Sequence, residues 1–226
     1  MKNQTCDRMH QGAATALRLA GWCLAACCLA VPLAFEPEAA ASDLTPTESV
    51  KGTMADVIRI LENTDLKAPV RAAERRQLIE QVVRDRVSYE EMAKRALGVP
   101  WNDLTDEERQ EFVRLFVLLL RDTFAGRIDA YSGEQVTYLQ EQREEGFAEV
   151  KTRLIGSKTD TFLDFRLAER QGQWLVYDVV IDGASVIGNY HAQFTSLIRD
   201  LTYAGLVTRM KERVLLVKAF ESQPQP

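Results

Sequence analysis

Apolar residues recur at steps of three and four between residues 45 and 131, which is the period of a helix. Four segments follow this period and predict four helices separated by polar or proline-containing breaks. We predict that Ser88 and Glu91 form a capping box at the start of the third helix, which ends at Gly98. Thr105 and Glu108 are predicted to do the same for the fourth. The fourth helix is the longest, and one apolar stripe follows its whole length.

The apolar period changes from 3.6 to 2 after residue 133, which predicts β-strands. Four strands are expected, over residues 135–143, 147–155, 159–170 and 173–181. The three gaps between them are short and turn-like, so the strands are predicted to pair as antiparallel hairpins. In the fourth strand, alternation places Trp174, Val176 and Val180 on one side and further apolar residues on the other, which indicates cover on both faces.

Helical spacing resumes after Gly183, with one apolar stripe from Phe194 to Leu201 and another from Leu206 to Val217. Helices, then a four-stranded sheet, then helices predict a single α+β domain over residues 42–220. Residues 221–226 are predicted to be a disordered tail.

The N-terminus is typical of a cleavable export signal over residues 1–41. Lys2, Arg8 and Arg18 are followed by an uncharged apolar run over residues 19–35 and by small residues before Ser42. Two alternatives stay open, an uncleaved membrane anchor and a lipoprotein acylated at Cys27.

Composition narrows the class of protein. The chain has 226 residues, of which 46% are hydrophobic and 27% charged, and these values are typical of a globular protein. Its net charge of -5 argues against a general nucleic-acid binder. All four cysteines lie within the first 28 residues, so the mature domain has no disulfide and depends on its core. Export without cysteine indicates the bacterial periplasm.

The sequence assigns no catalytic residue, metal ligand or cofactor. His191 is the only histidine after the predicted signal, so a zinc site of histidines and cysteines cannot form. Asp164 and Asp178 lie in apolar strands, and either could act as a general base in an enzyme. The alternative is that each carboxylate faces solvent or meets an arginine such as Arg166 or Arg170.

Two segments carry a resemblance to a known family. The first has Gly98-Val99-Pro100-Trp101 and then apolar positions along the fourth helix; the second runs from Trp174-Leu175-Val176-Tyr177-Asp178 to Leu206. In order and spacing they resemble the MlaC family, also called toluene-tolerance or Ttg2-type periplasmic phospholipid-binding proteins. The resemblance implies an NTF2-like α+β fold in which a curved antiparallel sheet and helices enclose an apolar cavity. His191 stands where we would expect an arginine in this family.

The resemblance also implies a function. It indicates a non-catalytic carrier that shuttles phospholipid between inner and outer membranes and maintains outer-membrane lipid asymmetry. The implied partners are the MCE-domain subunit of an inner-membrane ABC transporter and an outer-membrane lipoprotein–porin complex. Hopanoid-associated relatives share the outline, so a hopanoid or other lipid is an alternative cargo. An NTF2-like enzyme acting on an apolar substrate and a purely structural or chaperone-like protein are further alternatives.

The candidate lipid-binding residues are the large apolar residues of the fourth helix and of the third and fourth strands. They are Phe112, Phe116, Leu120, Phe124, Leu163, Phe165, Val176 and Val180. The alternative is that these side chains fill an ordinary core, because helix and sheet stripes look the same in both cases. Trp101 and Trp174 are expected to anchor packing.

Overall fold

The computed structural model describes residues 44–221, with side chains over residues 44–215. The predicted signal peptide and residues 222–226 of the predicted tail lie outside this range. The helices are α1 (Pro46–Glu62), α2 (Ala72–Arg84), α3 (Tyr89–Leu97), α4 (Asp106–Asp129) and α5 (Val186–Glu221). The strands are β1 (Gln135–Glu144), β2 (Phe147–Ile155), β3 (Thr161–Arg170), β4 (Gln173–Ile181) and β5 (Ala184–Ser185).

Capping residues set the helix starts, with one departure from prediction. The predicted box at α4 is confirmed, since Thr105 accepts the Glu108 backbone N–H and Glu108 accepts that of Thr105. The predicted box at α3 is wrong, because Ser88 makes no side-chain cap. The Glu91 carboxylate is instead held by Arg95 at 2.8 Å and by Arg170 at 3.5 Å.

The five strands form one antiparallel sheet in the order β1-β2-β3-β4-β5. The four predicted strands and the α+β class are confirmed, and the sheet gains a short fifth strand. Residues 86–88 also bond to β4, since the Ser88 N–H donates to the carbonyl of Val176 at 2.9 Å. This segment and β5 cover the β4 side of the sheet, so β1 is the long edge strand.

Two β-bulges interrupt the sheet. One lies in β1 between Tyr138 and Gln140. In β4, Asp178 pairs with Arg166 and Val176 with Leu167, which leaves Tyr177 as an extra residue. A bulge bends its strand and reverses the alternation of side chains beyond it.

Each face of the sheet meets different helices. We call the face that carries Ala148, Val150 and Leu154 the inner face, and its opposite the outer face. Helix α1 packs on the inner face, where the Lys51 ammonium lies 5.1 Å from the centre of the Tyr138 ring. Helix α3 and the start of α5 meet the outer face at β4.

Helix α5 breaks at Thr202, whose φ of 66° and ψ of 174° are not helical. This backbone region is essentially restricted to glycine, so Thr202 is strained. The break explains why the sequence carries two separate stripes here. Gly205 is required just beyond it, because a Cβ at this position would lie 2.5 Å from the Leu201 Cβ.

An ion-pair clamp joins α2 to the C-terminal end of α4. Arg75 donates to the Asp129 carboxylate at 2.7 Å, and Arg76 donates to its other oxygen. Arg75 also donates to the Leu66 carbonyl at 3.0 Å, which fixes the connection between α1 and α2. Partial burial raises the pKa of Asp129, but the hydrogen bonds from both arginines outweigh it, so the pKa lies below its ordinary value.

Candidate functional site

The predicted residues of α4 divide between two surroundings. Phe112 and Phe116 are fully buried in an aromatic cluster with Phe194 and Tyr190 of α5. The Phe116 ring centre lies 5.1 Å from that of Tyr190 and 6.0 Å from that of Phe194. Trp101 lies edge-on to the Phe112 ring at 6.4 Å, in the packing role expected for it. These contacts place Phe112 and Phe116 in the packing between α4 and α5, which agrees with the core alternative for these two residues.

Leu120 and Phe124 continue toward the other flank of α4, one and two turns after Phe116. Leu120 is buried and Phe124 is half-buried. Val117 and Ile128 lie on the same flank and are also half-buried. This flank, rather than the aromatic cluster, leaves apolar surface accessible.

Three of the four predicted strand residues share the inner face. Leu163 pairs with Ile181, Phe165 with Val179, and Val176 with Leu167, and residues directly opposite one another point to the same face. Val180 pairs with Asp164 and therefore lies on the outer face. Its predicted position beside Val176 is wrong because the extra residue Tyr177 reverses the alternation.

The inner face carries apolar side chains that the core does not fully cover. Tyr138, Leu154, Leu163 and Val179 are half-buried on this face, and Met54 of α1 is half-buried as well. Partial burial raises the pKa of the Tyr138 hydroxyl above its ordinary value. Sequence reasoning missed Tyr138 and Val179, although the alternation of Val136 and Tyr138 in β1 could have indicated the first.

Asp178 is a structural carboxylate. Its side chain is 3% exposed and accepts hydrogen bonds from the Ser185 hydroxyl at 2.6 Å, the Ile187 backbone N–H at 3.1 Å and Arg166 at 3.2 Å. It thereby fixes the start of α5. The prediction that such a carboxylate meets Arg166 is confirmed for Asp178, and the oxygens that a general base would offer are engaged by donors.

A groove crosses the outer face of the sheet beside Asp178. It consists of two pockets of about 410 and 520 Å³ that share Arg166 and Tyr177. None of the eight predicted lipid-binding residues lines either pocket. Partial burial lowers the pKa of Arg166, but the Glu149 hydrogen bond and the Asp178 charge outweigh it and raise the pKa overall.

The described residues contain no cluster of three or more histidine, cysteine or acidic side chains that could hold a metal ion. Over the same part of the chain, no helix has the length and apolarity required to cross a membrane.

The sequence profile of the family described as "MlaC protein" matches residues 51–212, which is most of the chain. The chain belongs to the MlaC family. Both segments that carried the sequence resemblance fall within the matched region, so the MlaC prediction is confirmed.

Two MlaC-like proteins are informative. The chain is 20% identical over 132 residues to the intermembrane phospholipid transport system binding protein MlaC of Haemophilus influenzae. That match covers 56% of this chain and 62% of the relative's length. The solved structure of a phospholipid-binding protein from Ralstonia solanacearum in complex with a phospholipid is similar, with a TM-score of 0.67 and 25% identity. The similarity covers 75% of this chain and 97% of that one.

Proposed function

We propose that this protein is a periplasmic carrier that holds phospholipid by its acyl chains and moves it between the inner and outer membranes. The observation that carries the proposal is the set of half-buried apolar side chains on the inner face and on the facing helices. Apolar side chains that are grouped on one face and left partly open to solvent are typical of a ligand-binding surface. The phospholipid bound by the Ralstonia relative, which shares the fold over nearly its whole length, supports the same cargo.

The physical need for a carrier is large. Exposing a methylene to water costs about 0.8 kcal/mol, so two tails of about fourteen methylenes each would cost on the order of 20 kcal/mol. A protein interior need only match the bilayer, because the tails leave one apolar medium for another. Half-buried side chains suit this task, since they offer apolar contact without a tightly closed site.

We place the acyl chains along the inner face rather than in the aromatic cluster. Leu163, Phe165 and Val176 lie on this face, and we propose that Leu120 and Phe124 of α4 extend the wall. Phe112 and Phe116 pack against α5 and hold α4 in place, so we do not assign them to the wall. Val180 belongs to the outer face and is not part of the wall.

The partners follow from membership of the MlaC family and remain part of the proposal. We expect exchange of lipid with the MCE-domain subunit of an inner-membrane ABC transporter and with an outer-membrane lipoprotein–porin complex. Maintenance of outer-membrane lipid asymmetry would be the result. No enzymatic step is required, since the most buried candidate base, Asp178, holds the start of α5.

Native mass spectrometry of the mature protein, followed by extraction and identification of its lipid, tests the cargo. We expect one or more phospholipids to co-purify. A bound hopanoid would contradict the phospholipid proposal, and protein that stays empty after incubation with phospholipid vesicles would contradict lipid carriage altogether.

Adjacent residues of β3 provide a matched pair of variants for the location of the site. Leu163 is half-buried on the inner face, whereas Phe162 is 50% exposed on the outer face. Leu163→Gln should lower phospholipid occupancy, and Phe162→Gln should leave it unchanged. Circular dichroism checks that both variants fold. Equal occupancy in the two variants would exclude the inner face as the binding wall.

A further inference from the structure

The smaller of the two outer-face pockets is lined by several side chains that carry hydrogen-bond donors. We call it the outer-face pocket; it has a volume of about 410 Å³, and Arg95, Arg166, Tyr177 and His191 lie on its wall. It is open to solvent and separate from the inner face, where the proposed acyl-chain site lies.

Carboxylates hold both arginines from one side. Arg95 donates through Nε to Glu91 at 2.8 Å, and Arg166 donates through Nε to Glu149 at 3.1 Å and through Nη1 to Asp178. Within residues 44–215, no hydrogen bond is made by either terminal nitrogen of Arg95 or by Nη2 of Arg166. These N–H groups are therefore available to a ligand.

Aromatic stacking fixes Arg95 further. Its guanidinium carbon lies 4.1 Å from the centre of the Tyr177 ring and 5.4 Å from that of Phe147. A stacked guanidinium loses little freedom when it binds, because its plane is already set. The Tyr177 hydroxyl makes no hydrogen bond to any described residue, which adds a third donor beside the two arginines.

The carboxylates around the pocket are already bound by donors. Glu91 also binds Arg170, and Glu149 also binds Lys151. Asp178 lines the pocket as well, and its oxygens accept from Arg166, from the Ser185 hydroxyl and from the Ile187 backbone N–H. His191 also lines the pocket, and its Nδ1 lies 3.3 Å from the Ala96 carbonyl oxygen. Because a carbonyl oxygen can only accept a hydrogen bond, Nδ1 is the donor in this contact.

We infer that the outer-face pocket binds a phosphate ester, with the terminal nitrogens of Arg95, the free nitrogen of Arg166 and the Tyr177 hydroxyl as donors. A planar guanidinium group can donate two parallel N–H hydrogen bonds to two oxygens of one phosphate. The pocket opens to solvent, so the group to which the phosphate is esterified can extend outward from it. A lipid headgroup and a small water-soluble phosphate ester share this chemistry.

The test is a titration of the lipid-free mature protein with glycerol 3-phosphate, followed by NMR at the backbone amides of Ile187 and Gly188, which line the pocket. We expect saturable shifts at both amides. Arg95→Gln should weaken binding about tenfold or more, because it removes charge-assisted hydrogen bonds. Tyr177→Phe keeps the stacked ring and should also weaken binding while leaving the fold intact.

Arg121→Gln is the matched control. The Arg121 side chain is 45% exposed and pairs with Glu80, much as Arg95, 38% exposed, pairs with Glu91, but it lies on α4 and does not line the pocket. Binding should be unchanged in this variant. Absence of saturable shifts, or equal weakening in the Arg95 and Arg121 variants, would overturn the inference.

A second titration distinguishes the two sources of phosphate. In protein loaded with dioleoylphosphatidylglycerol, the response to glycerol 3-phosphate should be unchanged, because the proposed acyl-chain site lies on the other face of the sheet, and this result assigns the pocket to a soluble ester. Loss of the response would show that the headgroup occupies the pocket; it would support the phosphate site but contradict the placement of the acyl chains on the inner face. Because the first titration needs no acyl chain, its outcome is independent of the proposed lipid carriage.

Discussion

The substitution Phe116→Ala separates a packed core from a ligand wall. Phe116 is 0% exposed, and its ring contacts three other aromatic rings, those of Phe112, Tyr190 and Phe194, with centres 5.1 to 6.1 Å away. Truncation of a buried phenylalanine costs about 3–5 kcal/mol, because it removes apolar burial and leaves a cavity. Loss of the aromatic pairs places this site toward the upper end of that range.

A loss of about 4 kcal/mol lowers the folding equilibrium constant about a thousandfold and removes a large part of the 5–15 kcal/mol that typically holds a domain together. Guanidinium chloride unfolding of the lipid-free protein, followed by far-UV circular dichroism, measures the change. Val99→Ala is the control; Val99 is 79% exposed, so its free energy of unfolding should change by less than about 0.5 kcal/mol.

Lipid occupancy of the folded Phe116→Ala protein completes the measurement. We expect it to stay within the range of the unsubstituted protein, because the ring packs against α5. A destabilisation below about 1 kcal/mol combined with a clear loss of bound phospholipid would refute the assignment of Phe116 to the core and would support the wall that the sequence predicted.

Three other predictions test charge and backbone. Asp178→Asn should lower the free energy of unfolding by about 2 kcal/mol, since it removes the charge from a buried carboxylate that accepts hydrogen bonds from Arg166, Ser185 and Ile187, and should leave lipid occupancy of the folded protein unchanged; denaturation and native mass spectrometry measure both, and an enzymatic turnover lost with the carboxylate would contradict this role. The pKa of Asp129 lies below its ordinary 3.8, because the α2 arginines outweigh its burial, so its stabilisation is present above pH 3.8 and lost as the pH falls through the folded-state pKa. Asp129→Asn should therefore lower the free energy of unfolding at neutral pH, and the difference from the unsubstituted protein should disappear in acid. The loss at neutral pH should be larger than in Asp122→Asn, whose carboxylate is similarly exposed. Identical pH profiles of stability for the two variants would count against the clamp. Thr202→Gly should raise the melting temperature by about 2–4 °C, since relief of strain exceeds the entropy cost of glycine, and a lower melting temperature in calorimetry would show that the threonine is not strained.

Local signals in the sequence are sufficient for most of the fold. Glycine-containing turns and a period of two place the four long strands, whose predicted bounds differ from the observed ones by at most two residues. The Thr105–Glu108 box succeeds because both partners lie within one helical turn. The Ser88–Glu91 box fails because the Ser88 backbone N–H donates to Val176, far along the chain, while Arg95 and Arg170 bind the Glu91 carboxylate.

The candidate site is harder to predict because it depends on neighbours that are distant in sequence. An apolar stripe on α4 predicts a buried face but not which element covers it, so the sequence could not decide whether Phe116 lines a lipid site or packs against α5. Simple alternation cannot detect an extra residue within a strand, which is why Val180 was assigned to the same face as Val176. The outer-face donors belong to α3, β3 and β4, and only the folded chain brings them together.

The bulge at Tyr177 shifts the alternation of side chains in β4 by one residue. Before the bulge, Val176 points to the apolar side of the sheet; after it, Asp178 points to the charged side and Val179 points to the apolar side again. Deleting Tyr177 would leave a regular strand in which Asp178 follows Val176 on the opposite side, so the last four residues of β4 would keep their sides. With Tyr177 present, pairing without the bulge would turn the Asp178 carboxylate toward the hydrocarbon, so the bulge is what allows β4 to hold this residue.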